Sequence, residues 1–485
     1  MKVVVLNPPS RYAKNVVRDV LYGCWCKGRR IASARYPPLS LLYIATVLKE
    51  EGHKVEFLDS QIGDKKLDDI KEKIKKKKPE VIVVSTSTMT YNEDAETLKE
   101  IKEEIDVITM AFGSHVTFRP QDSLKREGVD IIVMREPEYI IRDVINSMEN
   151  GKDFREVRGI GYKENGKVRI NPPYPFIDPL DELPIPDRSY IANVEYFNPL
   201  VKRLPWTTAL TSRGCPGRCN FCTSPSFYGT VFRFRSAENV LLELEYLSEM
   251  GYKEIFFRDE TFTANRKRVE EICKGILERD LDLTWICNAR VGTVNKDILE
   301  LMKKAGCHYI KFGVESGSQK ILDNINKGIK VEMTRKTFKW CKEVGIDTHA
   351  HLMVGCIGET WETINETIKF IREIEPTTIT CGAFTPYPGT KVFEMVEKER
   401  PEIGDGSGCD LSKLHITGYY NEIFCDLSEE EVGEAVKKIY RSFYLRPSYI
   451  LKTLARIRSL NDIRRVMFAG LDILFFSLRG EDRFC

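Results

Sequence analysis

Thr211-Ser212-Arg213-Gly214-Cys215-Pro216-Gly217-Arg218-Cys219-Asn220-Phe221-Cys222-Thr223 is the stretch from which the rest of the chain can be read. Its cysteines follow a C-x3-C-x2-C spacing, with an aromatic residue directly before the last one. Cysteines three apart can reach the same metal centre, and a third one four residues upstream closes a three-point mount. Three thiolates are one too few for a structural zinc or a fully ligated cubane cluster, so one iron of such a cluster would stay open. Gly214, Pro216 and Gly217 keep the loop irregular enough to wrap a cluster. The plain alternatives are buried thiols or half of a zinc site.

A chain of 485 residues has room for about three domains. With 42% hydrophobic and 30% charged residues it has the composition of an ordinary globular protein. A net charge of +2 gives no overall footprint for nucleic acid or a membrane surface, so no nucleic-acid partner is expected. Met1 leads straight into a strand-like run with no visible signal sequence. No apolar run approaches the roughly 20 residues needed to span a bilayer. The 14 cysteines are scattered singly outside the opening stretch. That pattern predicts a reducing, cytoplasmic setting with metal chemistry rather than a disulfide scaffold. The run Lys75 to Lys78 reads as the solvated end of a helix.

From Met1 to Asn150 short apolar runs alternate with amphipathic stretches. The runs fall at Val3–Leu6, Val55–Leu58, Val81–Val84, Val107–Phe112 and Ile131–Met134. Helical patterns lie between them, the last at Pro137–Glu149. Buried strands that each return through a helix predict a doubly wound, Rossmann-like parallel sheet of the flavodoxin type over residues 1–150. Ligands on such a sheet bind beyond the carboxyl ends of its strands. Those ends read Asn7-Pro8-Pro9, Ser85-Thr86-Ser87-Thr88, Gly113-Ser114-His115 and Arg135-Glu136-Pro137-Glu138, small and polar enough for a large planar cofactor. The loop from Asn7 to Pro38 leaves the same edge and could cover a cofactor or add to a substrate cavity. Its Cys24 and Cys26 read as loop thiols.

Residues 151–205 read as a connector, with a hairpin around Glu164-Asn165-Gly166 and a proline-rich segment from Pro172 to Pro186. Over residues 206–390 strand and helix repeat, with strands at Thr207–Thr211, Glu254–Arg258, Leu283–Cys287, Tyr309–Gly313, Thr348–Val354 and Thr378–Ala383. Six such units predict an open, partial (β/α)6 TIM barrel, with its chemistry at the carboxyl ends of the strands. The cysteine loop leaves the end of the first one. His349 and His351 alternate on the fifth strand and share one side, either as a hydrogen-bonded core pair or facing the barrel interior. Residues 391–485 read as a helical C-terminal region. Within it Val466–Leu478 is apolar but too short to span a membrane. It predicts a helix over the open barrel, or a lipid contact helped by Arg456, Arg464 and Arg465. Cys409, Cys425 and Cys485 have no ligand spacing.

The cysteine spacing, with Phe221 before the third cysteine, resembles the radical S-adenosylmethionine (SAM) superfamily. The resemblance implies a [4Fe-4S] cluster on Cys215, Cys219 and Cys222, whose open iron chelates the amino and carboxylate groups of SAM. An electron delivered to the cluster then cleaves SAM to a 5'-deoxyadenosyl radical, which implies a ferredoxin- or flavodoxin-like donor. Asp259-Glu260-Thr261-Phe262-Thr263 resembles the segment that meets the methionine amino group, where a carboxylate complements an ammonium. Helix capping is its plain alternative. Arg290 is suited to a two-pronged contact with the methionine carboxylate. Gly313 to Ser318 matches the family's G-x-E-S-G-S segment, which makes Glu315 and Ser316 candidates for the ribose or amine. Leu352 to Thr360 resembles the segment that packs on adenine, though Glu359 is also readable as a first-turn helix charge.

A sheet domain placed directly before such a core resembles the cobalamin-binding subclass, the class B methylases and the magnesium-protoporphyrin cyclase-like enzymes. The resemblance implies cobalamin contacts at Asn7, Ser85, Thr86, Gly113, Ser114, His115 and Glu136. The D-x-H-x-x-G motif is missing, which implies cobalamin held without a histidine ligand; His53 reads as a turn residue. The implied activity is C-methylation at an unactivated carbon. Radical cyclisation or carbon–carbon joining is the alternative, and a non-catalytic corrinoid or cluster carrier is the reading from another class. A methylthiotransferase would bring a second cysteine triad. The substrate stays open among lipid, tetrapyrrole, antibiotic precursor and peptide. The apolar C-terminal stretch favours a lipid and a membrane-peripheral position.

Overall fold

The structure is a computed structural model that describes residues 1–11, 13–14, 16–18, 28–29, 34–61, 66–192, 194–408, 410–411, 420–455, 470–471 and 473. Cys24, Cys26, Cys409, Cys485 and the apolar stretch from Val466, with its arginines, lie wholly or almost wholly outside these residues.

The first strand, β1 (Lys2–Asn7), is followed by a short parallel ladder of β2 (Ala13–Lys14) and β3 (Gly28–Arg29). Next come β4 (Lys54–Asp59), β5 (Val81–Thr86), β6 (Ile108–Gly113) and β7 (Ile131–Val133). After these lie β8 (Ile160–Glu164) and β9 (Lys167–Ile170). They form one sheet in the order β4-β1-β5-β6-β7-β8-β9, parallel as far as β7 and antiparallel beyond it. Successive strand residues point to opposite faces, so alternate residues build separate cores. Val3, Val5, Val81 and Val83 pack with Leu41, Ile44 and Ile140 on one face. Val4, Leu6, Ile82 and Val84 pack with Ile70, Ile74 and Leu98 on the other. Both faces are covered, as a doubly wound parallel sheet requires.

The hairpin of β8 and β9 departs from its sequence reading. Instead of standing in a connector, it extends this sheet, because Ile160 closes the ladder on Val133 and Gly161 lets the side chains of Ile132 and Ile170 approach.

The second sheet contains β10 (Trp206–Ala209), then β13 (Glu254–Phe257), β14 (Thr284–Ala289), β15 (Cys307–Glu315), β16 (Asp347–Val354) and β17 (Thr378–Ala383). Between its first two strands, β11 (Ser212–Arg213) pairs antiparallel with β12 (Arg233–Phe234). The order β10-β13-β14-β15-β16-β17 is parallel throughout and sequential, and no ladder joins β17 to β10 among the described residues. One set of side chains, including Ile255, Ile310, Phe312, Ala350 and Leu352, packs against the outer helices. The opposite set starts with an apolar plug of Trp206, Phe256, Ile286 and Tyr309, against which Leu42 and Tyr196 pack.

The C-terminal helix Glu429–Tyr444 covers the β17 edge in an uncommon way. The Tyr444 hydroxyl accepts from Ile379 N–H at 2.8 Å and donates to Ile379 C=O at 2.6 Å, and Tyr440 Oη accepts from Cys381 N–H at 3.2 Å. Side-chain hydroxyls satisfy edge groups that another strand would otherwise pair.

Candidate cluster and cofactor site

The cysteine loop is fixed at both ends. Its entry is held by Asp259, which accepts from Thr211 N–H at 2.7 Å, from Thr211 Oγ1 at 2.5 Å and from the Ser212 hydroxyl. Gly214 has φ 87°, and a Cβ there would lie 2.6 Å from Val231 O, so a side chain would have to displace backbone. Further on, Asn220 N–H donates to Ile325 O at 3.1 Å and Asn326 Nδ2 donates to Arg218 O at 2.7 Å.

Cys215, Cys219 and Cys222 are half-buried free thiols. Burial, together with the neighbouring Cys219 and Cys215, pushes the Cys222 thiol up to about 12. Crowded sulfurs that oppose one another's ionisation are stabilised as thiolates by a bound cation. Among the described residues no three His, Cys, Asp or Glu side chains converge on one metal ion. A polynuclear cluster, in which each thiolate takes a different iron, suits this donor set better than a single ion.

The neighbouring strand ends close around the loop. Thr261 Oγ1 lies 3.3 Å from Cys215 Sγ, and Arg290 Nη1 lies 3.5 Å from Cys219 Sγ. Glu260 accepts from Gly214 N–H at 3.1 Å, and burial, aided by Asp259, pushes its carboxyl up to about 8. Glu315 sits at φ 65° with its carboxylate 2.6 Å from Lys327 Nζ. Lys327 in turn lies 5.8 Å from the Phe221 ring centre, and Phe221 packs edge-on to Phe384. Thr261, Glu260, Arg290, Glu315 and Phe221 are thus brought together.

Two of the expected SAM contacts have other partners. Asp259 is fully buried, and its oxygens are taken by Thr211, Ser212 and, at 3.6 Å, Arg268. Ser316 is buried behind the strand end, with Oγ 3.0 Å from Thr367 Oγ1. Glu359 accepts from Cys356 N–H and Thr363 Oγ1, and burial pushes it up to about 7. Lys327 was missed by sequence reasoning, since a lone lysine after a short helix carries no motif.

The carboxyl edge of the first sheet offers hydroxyl and backbone groups while its charges are paired internally. Asn7 Nδ2 donates to Asp59 at 2.9 Å, Thr86 Oγ1 donates to Phe112 O at 2.9 Å, and Ser85 Oγ donates to Arg18 O. Arg18 is itself paired with Asp94 at 2.8 Å. Gly113, at φ 135°, passes so close to Thr86 that a Cβ would lie 2.1 Å from its carbonyl oxygen. Ser114 opens the following short helix. With these donors used inside the protein, the edge has hydroxyl and carbonyl oxygens left as acceptors, which suit the amide N–H groups that fringe a corrin ring such as that of cobalamin. His115 is buried, stacked on Tyr91 at 4.4 Å with Nε2 3.5 Å from Asp122, and burial pushes its pKa down.

Glu136 faces the second sheet. It accepts from Arg233 Nη1 at 3.0 Å and from Ile177 N–H at 2.8 Å. Burial pushes Glu136 up, but Arg213 and Arg233 outweigh it and hold the carboxyl below its usual value. Glu138 pairs with Arg213, next to the cysteine loop. The two carboxyl edges also meet through Phe118, which stands 6.1 Å from Phe227 and fills the space where Gly389 lacks a side chain.

The interior face of the second sheet carries Lys311, His349, His351, Thr378 and Thr380. Burial, with Lys311 nearby, pushes both histidines well below their usual value.

Comparison with known proteins identifies the family. Residues 210–371 match the Radical SAM superfamily model and residues 32–145 match the B12 binding domain model. The chain therefore belongs to the radical SAM superfamily, in the group that carries a B12-binding domain, and its cofactors are a [4Fe-4S] cluster, SAM and cobalamin. It is 33% identical to an uncharacterised methyltransferase of Pyrococcus horikoshii over 93% of this chain and 94% of that one. It is 30% identical to the anaerobic magnesium-protoporphyrin IX monomethyl ester cyclase of Rubrivivax gelatinosus over 87% of this chain and 76% of that one. Among solved structures, the radical SAM methyltransferase TsrM from Kitasatospora setae superposes with TM-score 0.72 at 17% identity, covering 99% of each chain. That last likeness is one of fold.

Proposed function

We propose that this enzyme is a C-methyltransferase acting on an unactivated carbon. The observation that carries methyl transfer is the 33% identity to the uncharacterised P. horikoshii methyltransferase over nearly the whole of both chains. The contact of Phe118 with Phe227 and Gly389, which brings the carboxyl edges of the two sheets together, supports two cofactors working on one substrate. Bound together, the cofactors supply a hydrogen-abstracting radical and a methyl donor. The chain's share is binding, orientation and exclusion of water. In this reading Cys215, Cys219 and Cys222 hold the cluster, Glu260 takes the methionine ammonium and Arg290 its carboxylate. Glu315, held in place by Lys327, takes a hydroxyl of the ribose. Asp259 acts on the loop rather than on the cofactor. Asn7, Ser85, Thr86, Gly113 and Ser114 line the cobalamin edge.

The relatives support methyl transfer. They include the P. horikoshii protein and, at 26% identity over 75% of this chain, the hopanoid C-3 methylase of Methylococcus capsulatus. The R. gelatinosus cyclase favours a second reading, radical cyclisation at the same site. A ferredoxin- or flavodoxin-like protein would deliver the electron.

The test uses anaerobically reconstituted enzyme with cobalamin, a reductant and SAM labelled in its methyl group. Methyl transfer predicts 5'-deoxyadenosine, S-adenosylhomocysteine and label in the product. Cyclisation predicts 5'-deoxyadenosine with unlabelled product. Formation of neither nucleoside product sinks both readings.

A further inference from the structure

The internal pairing of charges at the carboxyl edge of the first sheet leaves one cation over. Arg18 is paired with Asp94 at 2.8 Å, Arg119 with Glu397 at 2.7 Å, Arg233 with Glu136 at 2.6 Å, and Arg213 with Glu138. Arg135 has no such partner. It follows the end of β7, two strands beyond β5, which is about 10 Å along the edge. Among the described residues its half-exposed guanidinium meets no carboxylate and donates no hydrogen bond. The side chain lies on Phe176, with the guanidinium carbon 5.1 Å from the ring centre. A cation held over an aromatic face uses its charge there and leaves its fork of N–H donors open.

The backbone fixes this cation in place. Arg135 has φ 67°, in the left-handed region that residues with a Cβ seldom adopt. Its N–H donates to Thr117 Oγ1 at 2.9 Å, and the Thr117 hydroxyl donates to Gly113 O at 2.8 Å. The strained turn is thereby tied to the end of β6, at one of the residues that line the cobalamin edge. Phe176 is braced from its other neighbours. The Arg233 guanidinium carbon lies 4.7 Å from its ring centre, and a Cβ on Gly229 would lie 3.3 Å from the ring. A strained residue whose charged group has no partner inside the protein is suited to a partner that arrives from outside. Arg213 and Arg233 already neutralise Glu136 and Glu138, so the charge left to be matched is that of a single anion. An open guanidinium fork fits two oxygens carried by one atom, as in a carboxylate or a phosphate.

We propose that Arg135 binds the phosphodiester in the nucleotide tail of cobalamin. That phosphodiester carries one negative charge and is the one anionic group at the periphery of the cofactor, whose ring arms end in neutral amides. The oxygen-lined edge at Asn7, Ser85 and Thr86 suits the amides, and Arg135 takes the group that such oxygens would repel. The assignment rests on the cobalamin edge proposed above and is independent of the fate of the methyl group. It makes Arg135 a binding residue that selects complete cobalamin over corrinoids without a nucleotide.

The test is an absorbance titration of cluster-loaded enzyme with hydroxocobalamin and, in parallel, with cobinamide. Cobinamide keeps the ring and its amides but lacks the nucleotide and its phosphate. The variants are Arg135→Gln and Arg135→Gly. Glycine accepts φ 67° without strain, so that variant removes the guanidinium without burdening the turn. Both are expected to bind hydroxocobalamin about tenfold or more weakly than the parent, and to bind cobinamide as the parent does. Arg135→Lys, which keeps the charge and loses the fork, is expected to fall between. Unchanged affinity for hydroxocobalamin, or an equal loss with cobinamide, overturns the assignment. A parent enzyme that binds neither corrinoid overturns the cobalamin edge and this assignment with it. These affinities are read without turnover, so their failure leaves the labelled-SAM test of methyl transfer standing, and failure of methyl transfer leaves the role of Arg135 standing.

Discussion

At the scale of single residues, neighbouring carboxyls on one loop have been given opposite tasks. Asp259 is consumed by Thr211 and Ser212, while Glu260 turns to the cysteine loop with its carboxyl raised to about 8. A raised carboxyl keeps its proton in the folded state after the unfolded chain has lost it. Its contribution to stability is therefore full below the ordinary value of 4.5 and is lost as pH rises through about 8. In the absence of SAM, the melting temperature should fall over that interval, and Glu260→Gln should flatten the slope. A slope unchanged in the variant would remove Glu260 as its source. Arg290 sets a second test. A lysine cannot reproduce a two-pronged contact, so Arg290→Lys should weaken SAM binding about tenfold or more while the cluster absorbance persists. Equal affinity in a direct binding titration would take Arg290 out of the carboxylate site. The sequence pointed to both residues through motif resemblance. It could not show that Asp259 was already spent, because its partners lie some 47 or 48 positions earlier in the chain.

Among elements, the parallel strands were legible together with their surroundings, whereas the antiparallel hairpin of β8 and β9 was legible as a turn but not in its place. Runs of Val and Ile separated by amphipathic helices mark parallel strands buried on both faces, and those strands stand where the pattern put them. The hairpin of β8 and β9 announced itself through Asn165-Gly166, yet a turn signal carries no information about which edge the hairpin joins. The same holds for β11 and β12, short segments that brace the cysteine loop only because they meet each other. The β17 edge supplies a prediction at this scale. Tyr444→Phe removes the hydroxyl that serves both the N–H and the C=O of Ile379, and a buried unsatisfied group costs about 1–3 kcal/mol. Urea denaturation should show a loss of about that size with the iron content unchanged. A variant as stable as the parent would mean that water replaces the hydroxyl.

For the whole molecule, the informative pair is Glu136 and Glu138. The turn that holds them resembles a family segment, from which Glu136 reads as a cofactor contact; the structure adds that the two carboxylates pair with Arg233 and Arg213, which lie 97 and 75 positions away. Together these side chains join the B12-type sheet to the base of the cysteine loop. Removing one partner of a buried ion pair leaves a stranded charge, at a cost of about 3–5 kcal/mol. Glu138→Gln should therefore destabilise the enzyme by about 3 kcal/mol and loosen retained cobalamin, while the cluster still assembles. Unaltered cobalamin retention in a gel-filtration assay would argue that the two sheets dock without this pair. The ring of strands itself has a further consequence. In a closed barrel the number of strands and their stagger fix the bore. Among the described residues β10 and β17 share no ladder, and tyrosine hydroxyls finish the β17 edge. A wider bore would break no pairing between β10 and β17. A sheet left open in this way is freed from the closure condition that couples strand number to bore, so the size of what it encloses is set by the packing on its free edge and not by the cysteine mount.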